Sequence, residues 1–134
     1  MSALRALHRP RLWLGVWALM IAAVVAGSLA PADDLPQIRF PGADKLQHLL
    51  GYAVLSGYAA MLFASRGARG GAAAGLVLLG ILIEGAQSAL TASRQADPAD
   101  LLANLAGIAL GQAIGATRAA GLLQRIDTRL FGRG

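Results

Sequence analysis

The sequence predicts an all-α integral membrane protein, a four-helix bundle with both termini in the cytoplasm. Three observations predict this fold class. The chain of 134 residues is 56% hydrophobic and only 14% charged, whereas a typical soluble domain has about 25% charged residues. Four long apolar segments carry almost no charge, and the number of basic residues alternates between successive connecting segments. The length suits a single domain, residues 1–134.

The apolar segments cover about residues 12–30, 46–65, 70–90 and 101–117. A helix needs ~20 apolar residues to cross the hydrocarbon core, with a range of ~17–25. Helices satisfy their own backbone hydrogen bonds, which a lone strand in lipid cannot do. The segments therefore predict four membrane-spanning helices, in which His48 and Glu84 are the only acidic, basic or imidazole side chains.

The basic residues predict the orientation. Nine of the 12 Lys and Arg residues lie before residue 12, in a short loop at 66–71, or in the tail at 118–134. The other three are Arg39, Lys45 and Arg94, in the two opposite loops. Because cytoplasmic loops are enriched in Lys and Arg, both termini are expected inside, in a bacterial inner membrane. In the cytoplasmic tail, an apolar face is expected on the inner leaflet; it comprises Leu122, Leu123, Ile126 and Leu130.

Composition and charge also limit the alternatives. The net charge of +5 does not indicate nucleic-acid binding, because most Arg residues flank apolar segments and leave no folded basic face. The absence of cysteine excludes disulfides, thiol catalysis and thiolate metal sites. The first span has an alternative interpretation as a cleaved signal peptide, with small residues at 26–28. Its length and Pro31 favour a retained helix.

Polar side chains recur at helical spacing near the predicted outer ends of three spans. Residues four apart share one stripe of a helix, and Glu84 lies six residues, or ~9 Å, below the outer end of its helix. The stripes are therefore expected to meet in a cavity open to the outer surface. They comprise Asp44, His48, Tyr52 and Ser56 on the second span, Glu84, Gln87 and Ser88 on the third, and Asp100 and Asn104 on the fourth.

Ionisable groups at membrane depth are unfavourable by ~2.5–3.5 kcal/mol each on insertion scales, so such a group of side chains indicates a use. His48, Glu84 and Asp100 are the candidates for general acid–base catalysis and for binding a divalent cation. Lys45 and Arg94 are expected to balance the carboxylates at the rim. The chain has no HExxH or GxSxG motif, so neither a metal site nor a Ser88–His48–Asp100 arrangement has a local signature.

Each of these residues also has a structural interpretation. Glu84 can be a protonated hydrogen-bonding partner and His48 an interfacial histidine. Tyr52 can be an interface anchor, and Arg94 a solvated loop charge or a lipid-headgroup contact. Asp97, directly before Pro98, is expected to cap the fourth helix. Gln87 and Asn104 are common in hydrogen bonds between membrane helices. A run of glycines at spacing four predicts a helix-packing seam and a possible homo-oligomer contact; these are Gly107, Gly111 and Gly115.

The ordered pattern of these residues resembles the VanZ-like family over residues 44–111. The pattern reads Asp44-Lys45-x-x-His48-x-x-x-Tyr52, then Glu84-x-x-Gln87, then Arg94-x-x-Asp97-x-x-Asp100-x-x-x-Asn104-x-x-Gly107-x-x-x-Gly111. The resemblance implies a small multi-pass bacterial membrane protein and a link to teicoplanin (glycopeptide) susceptibility. It also implies that the ligand-binding residues are Asp44, Lys45, His48, Tyr52, Glu84, Gln87, Arg94, Asp100 and Asn104.

The expected function is binding of a lipid-linked or amphipathic cell-envelope component, such as a cell-wall precursor, in the outer pocket. One alternative is a membrane-embedded hydrolase or transferase acting on a lipid-linked substrate, with Glu84 or His48 as the general base. Another is a structural or partner-binding module. A proton-coupled transporter is less favoured, because the inner halves of the spans carry no charge to continue a path.

Overall fold

The computed structural model describes residues 2–30, 34, 40–90, 92 and 95–132. These residues form five α-helices and no β-strand, which confirms the predicted all-α fold. The helices are α1 (Pro10–Leu29), α2 (Ala43–Leu62), α3 (Arg66–Leu90), α4 (Pro98–Ala113) and α5 (Leu122–Phe131). Two 3₁₀ turns, Ile114–Ala116 and Arg118–Gly121, connect α4 to α5.

Three helices are long and apolar enough to cross a membrane. They are α1, α3, and α4 together with the 3₁₀ turn that follows it, Pro98–Ala116. These helices indicate a membrane protein. The 20-residue helix α2 is not among them, because polar side chains at its start lower its mean hydropathy.

The position of α2 explains why it can be more polar. It contacts α1, α3 and α4, most extensively α4, and it buries Tyr52, Leu55 and Ala59. In contrast, no described residue of α1 is buried. The neighbouring helices therefore cover much of α2, whereas most of the surface of α1 faces outward. The indole N–H of Trp17 joins the two helices by donating to the Leu55 carbonyl at 3.0 Å.

The glycine seam of α4 packs against α2 within the chain. A Cβ atom at Gly107 would overlap the Leu49 carbonyl oxygen, and one at Gly111 would overlap the backbone of Ala53 and Gly57. The predicted packing role is therefore confirmed for Gly107 and Gly111. Gly115 lies beyond α4, and a Cβ there would meet the Arg69 guanidinium of α3, so its close contact is with α3 rather than with α2. Homo-oligomer contact through these glycines stays a prediction.

The segments near both termini lie at the end of the helices where α2 leads into α3. Arg5 N donates to Leu62 O at 2.9 Å, and Ala64 N donates to Ala3 O at 2.8 Å. At the same end, α5 contacts the start of α1 through Asp127. The start of α2, the last turns of α3 and the start of α4 meet at the opposite end.

The expected loop at 66–71 is wrong. Helix α3 begins at Arg66, and residues 63–65 alone connect it to α2. Ser65 explains the early start, because its hydroxyl accepts the Ala68 N–H at 3.1 Å and so caps the first turn. The α-helical part of the fourth span ends at Ala113, and the 3₁₀ turn that follows extends the span to Ala116, close to the predicted end at residue 117.

The predicted tail helix is present as α5, but its apolar face divides in two. Leu123 is buried against the rest of the chain, whereas Leu122, Ile126 and Leu130 are exposed. The buried face of α5 pairs Leu123 with Asp127, which periodicity alone did not reveal.

Candidate functional site

The polar stripes meet where α2, α3 and α4 come together. Asp44, Lys45 and His48 lie in the first two turns of α2, Glu84 and Gln87 in the last two turns of α3, and Asp100 and Asn104 in the first two turns of α4. A polar cavity of ≈ 240 Å³ opens among these side chains. We call it the polar cavity; it is lined by Asp44, Lys45, Gln47, His48, Gln87, Gln95, Asp97 and Asp100.

Lys45 is the cationic centre of the rim. Its Nζ lies 2.8 Å from an Asp44 oxygen, 2.6 Å from Asp97 Oδ2 and 2.6 Å from Asp100 Oδ1. The hydrogen bond from Lys45, with that from the Ala99 N–H, lowers the pKa of Asp97 below its usual value. The predicted balancing of carboxylates by Lys45 is confirmed. Arg94, the second predicted rim cation, lies outside the described residues.

Asp97 has two structural roles at the start of α4. Its carboxylate accepts the Ala99 N–H at 2.9 Å, which confirms the predicted helix cap. Its backbone N–H donates to Glu84 Oε2 at 3.1 Å. Because of this second bond, the end of α3 is fixed to the start of α4.

Glu84 is the buried acid of the site. It is 4% exposed, and its Oε1 accepts no hydrogen bond from the part of the chain that the structure describes. A buried carboxylate oxygen without a donor is unfavourable, because it loses its hydration without compensation.

His48 connects α2 to α4. Its Nδ1 lies 3.0 Å from Asn104 Oδ1, and its Nε2 lies 3.5 Å from Asp100 Oδ2. The bond to Asn104 requires the proton on Nδ1, because Oδ1 is only an acceptor. In the neutral ring, Nε2 therefore presents its lone pair toward Asp100.

These three side chains form one compact group. One ligand atom from each of His48, Glu84 and Asp100 lies within 4.8 Å of the other two. The same three residues were the sequence-based candidates for catalysis and for cation binding. An imidazole and two carboxylates at this separation can exchange protons or bind a divalent cation.

A second cavity lies beside the polar cavity, between α1 and α2. Its volume is ≈ 190 Å³, and Gln47 and His48 line both cavities. We call it the α1–α2 cavity; apart from Gln47 and His48, most of its lining residues are small. Besides those two residues, it is lined by Ala23, Val24, Gly27, Ser28, Gly51 and Tyr52.

Tyr52 and Gln87 occupy different parts of the predicted site. Tyr52 is buried at 3% exposure, and its hydroxyl has no hydrogen-bond partner among the described residues. Gln87 lines the polar cavity and donates to the Ser28 carbonyl at 2.7 Å, so it also connects α3 to α1. The structure does not support the Ser88–His48–Asp100 arrangement, since Ser88 is exposed and donates to Gly85 of its own helix.

Sequence reasoning did not single out several residues that the structure brings into play. Gln47 and Gln95 line the polar cavity. Gln112 donates to the Ser56 hydroxyl at 3.1 Å, and Ser56 donates to Ile108 O at 2.8 Å. Gln47 and Gln112 could have been noticed as polar side chains inside predicted spans; Gln95 carried no such signal.

Comparison of the chain with models of protein families, with curated proteins and with solved structures found no match.

Proposed function

We propose that this protein is a four-helix inner-membrane protein whose polar cavity faces outward and binds the head group of an amphipathic or lipid-linked cell-envelope component. In this proposal α2 crosses the membrane with α1, α3 and α4. Both termini are cytoplasmic, as the distribution of Lys and Arg favours.

The adjacency of the two cavities supports this proposal best. Ligand sites are mostly apolar with a few placed polar groups, and an amphipathic molecule needs both kinds of surface side by side. The polar cavity offers Gln47, Gln87 and Gln95 for hydroxyl or amide groups. At its rim, the positive charge of Lys45 is shared among Asp44, Asp97 and Asp100 and would attract an anionic group that displaces one of them. The neighbouring α1–α2 cavity, which is less polar, offers the surface of Ala23, Val24 and Gly27 to the start of an alkyl chain.

We further propose membership in the VanZ-like family, on the motif over residues 44–111. The proposal includes an effect on glycopeptide (teicoplanin) susceptibility. A protein that holds a cell-wall precursor at the outer surface would change how much of that precursor an external glycopeptide can reach.

Complementation of a deletion strain tests this function. The strain would carry wild type, Glu84→Ala, His48→Ala or Asp100→Asn, with protein level measured for each, and the readout would be susceptibility to glycopeptides and other envelope stresses. We expect the variants to be present in the membrane but to fail where wild type rescues. Gly75→Ala is a matched control, because its position faces open space on α3. Full rescue by all three site variants would refute the proposal.

A membrane-embedded hydrolase or transferase is the second candidate function. The closeness of His48, Glu84 and Asp100 favours it, because a general base next to a bound head group is the arrangement such a reaction needs. Turnover of a lipid-linked substrate by wild type, with loss in Glu84→Gln and retained binding, would favour the enzyme. If variants instead lose protein level or assembly, the structural or partner-binding module is supported.

A further inference from the structure

Two carboxylates at and beside the polar cavity are shielded from water. Asp44 and Asp97 are exposed enough to be hydrated, whereas the Asp100 side chain is 13% exposed and Glu84 is 4% exposed. Lys45 pairs with the three aspartates, and among the described residues Glu84 accepts the backbone N–H of Asp97. Buried charges are normally paired or bound to a metal, so a cation next to Glu84 would complete the group.

Two observations locate that cation. First, Glu84 Oε1 is buried and accepts no hydrogen bond from any described residue. Second, His48 Nε2 and Asp100 Oδ2 lie 3.5 Å apart, although both present lone pairs when the ring is neutral. Two ligands on one tetrahedral zinc are separated by roughly 3.4 Å, given metal–ligand bonds of ~2.0–2.2 Å. The distance between His48 and Asp100 suits two ligands of one ion, and Glu84, which lies within 4.8 Å of both, would have to move closer to complete the set.

The surroundings of His48 agree with this role. A metal-bound histidine usually donates its other ring N–H to an oxygen acceptor, which fixes the ring and its tautomer. His48 Nδ1 has such an acceptor in Asn104 Oδ1 at 3.0 Å. Asp100 divides its two oxygens, since Oδ1 pairs with Lys45 while Oδ2 faces His48.

We infer that His48, Glu84 and Asp100 bind one divalent transition-metal cation, Zn²⁺ or Mn²⁺, beside the polar cavity, which His48 and Asp100 line. Imidazole suits zinc and carboxylates suit manganese, so the mixed ligand set accepts either. Three protein ligands leave a coordination position open. This inference rests on the proposed function, because the open position would face the bound head group and take one of its phosphate or hydroxyl oxygens.

Metal binding is tested on the purified full-length protein in detergent, with any affinity tag removed. The protein is dialysed against ZnCl₂ or MnCl₂, and bound metal per chain is measured by atomic emission. We expect one cation per chain in wild type and loss of it in His48→Ala, Glu84→Gln and Asp100→Asn. Asn104→Ala should weaken binding by about 10–100-fold, as expected for the partner of a ligating histidine. Wild type that binds no more metal than His48→Ala would overturn the inference.

Matched controls separate this site from other polar groups. His8→Ala removes the chain's other histidine, which pairs with Asp127 at the opposite end of the helices, and should leave metal binding unchanged. Glu84→Gln keeps the size of the side chain and an oxygen for the Asp97 N–H, so it should fold. In the presence of a metal chelator, the Glu84→Gln variant should melt at or above the melting temperature of wild type, because the substitution removes an unbalanced buried charge. Added zinc should raise the melting temperature of wild type and not of Glu84→Gln; equal shifts would count against the site.

Lys45→Gln distinguishes this inference from the proposed function. Removing a neighbouring positive charge should preserve or strengthen cation binding, whereas it should weaken binding of an anionic head group. Metal binding by wild type, together with full rescue by all three site variants in the complementation assay, would support the cation site and refute the envelope function. Rescue that depends on Glu84, in a protein that binds no metal, would support the envelope function and overturn the cation site.

Discussion

Asp127, near the end of the chain, accepts the indole N–H of Trp13 at 2.8 Å. The same carboxylate accepts the backbone N–H groups of His8 and Arg9 and lies 2.9 Å from His8 Nδ1. His8 and Arg9 directly precede α1, where backbone N–H groups lack partners within the helix. Asp127, which is fully buried, therefore caps the start of α1 from α5 and holds the two terminal segments together.

Asp127→Ala is expected to destabilise the protein strongly. Each buried donor left without an acceptor is unfavourable by ~1–3 kcal/mol, and the substitution would affect the backbone N–H groups of His8 and Arg9 and the indole of Trp13. Asp127→Asn should have a smaller effect, because its amide oxygen can still accept. Thermal unfolding in detergent measures both. A melting temperature of Asp127→Ala equal to that of wild type would show that the cap is not stabilising.

The contribution of Asp127 should depend on pH. Burial acts to raise its pKa, but the hydrogen bonds from His8, Trp13 and Arg9 together outweigh burial and lower the pKa from 3.8 to about 2. A lowered folded-state pKa means that the stabilisation is present above the unfolded value and lost as pH falls through the folded value. The difference in melting temperature between wild type and Asp127→Asn should therefore shrink between about pH 4 and about pH 2. A constant difference would contradict the lowered pKa.

Gly107→Ala is expected to disrupt the seam between α2 and α4. A Cβ at this position would overlap the Leu49 carbonyl, which is backbone and cannot turn away. Overpacking of this kind typically destabilises by ~1–3 kcal/mol. Gly75→Ala is the matched control, because nothing lies within 4 Å of the added Cβ. Alanine should there be neutral or stabilise α3 by up to ~1 kcal/mol. Equal melting temperatures for the two variants would refute the close contact.

Local patterns predicted much of this fold and of the site. Periodicity at spacing three and four correctly placed Glu84 with Gln87 and Asp100 with Asn104, since residues on one helical face stay together wherever the helix packs. The location of all three stripes near the same ends of the helices then grouped His48 with Glu84 and Asp100. The Asp97-Pro98 pair likewise predicted the start of α4. These predictions depend on interactions within a few residues.

The errors came where distant contacts or a single cap decide the structure. Asp127 is the lone acidic residue of the basic tail, but its partners lie 114 to 119 positions earlier, which no periodicity reveals. The glycines at 67, 70 and 71 favoured a loop, yet the Ser65 cap starts α3 before them. Ser88 follows Gln87 directly, and one residue of helical rotation, ~100°, turns it out of the site.

Lys45→Gln should weaken the joint between α2 and α4 in a pH-dependent way. Partly exposed ion pairs contribute ~0.2–1 kcal/mol each, and Lys45 has three carboxylate partners. Lys45 lowers the pKa of Asp97 below the ordinary aspartate value of 3.8. The stabilisation by this ion pair is therefore present above pH 3.8 and is lost as the pH falls through the lowered pKa. Melting temperatures of wild type and Lys45→Gln should thus converge in acid. Asp44→Asn, which removes the exposed partner of Lys45, should lower the melting temperature less than Lys45→Gln does. Melting temperatures of wild type and Lys45→Gln that move apart in acid would contradict the pairing of Lys45 with the carboxylates.

The proposed orientation predicts which positions an impermeant reagent can reach. The chain has no cysteine, so a thiol reagent can label the protein only at a cysteine that is introduced by substitution. Ala92→Cys and Gln95→Cys lie on the connection between α3 and α4, whereas Ala64→Cys and Ala119→Cys lie near the opposite end; all four positions are exposed. A membrane-impermeant maleimide should label the first pair in intact cells and the second pair only after lysis. Labelling of position 64 or 119 in intact cells would place the polar cavity on the cytoplasmic side. An extracellular glycopeptide or cell-wall precursor could not then reach it, although the metal site would be unaffected.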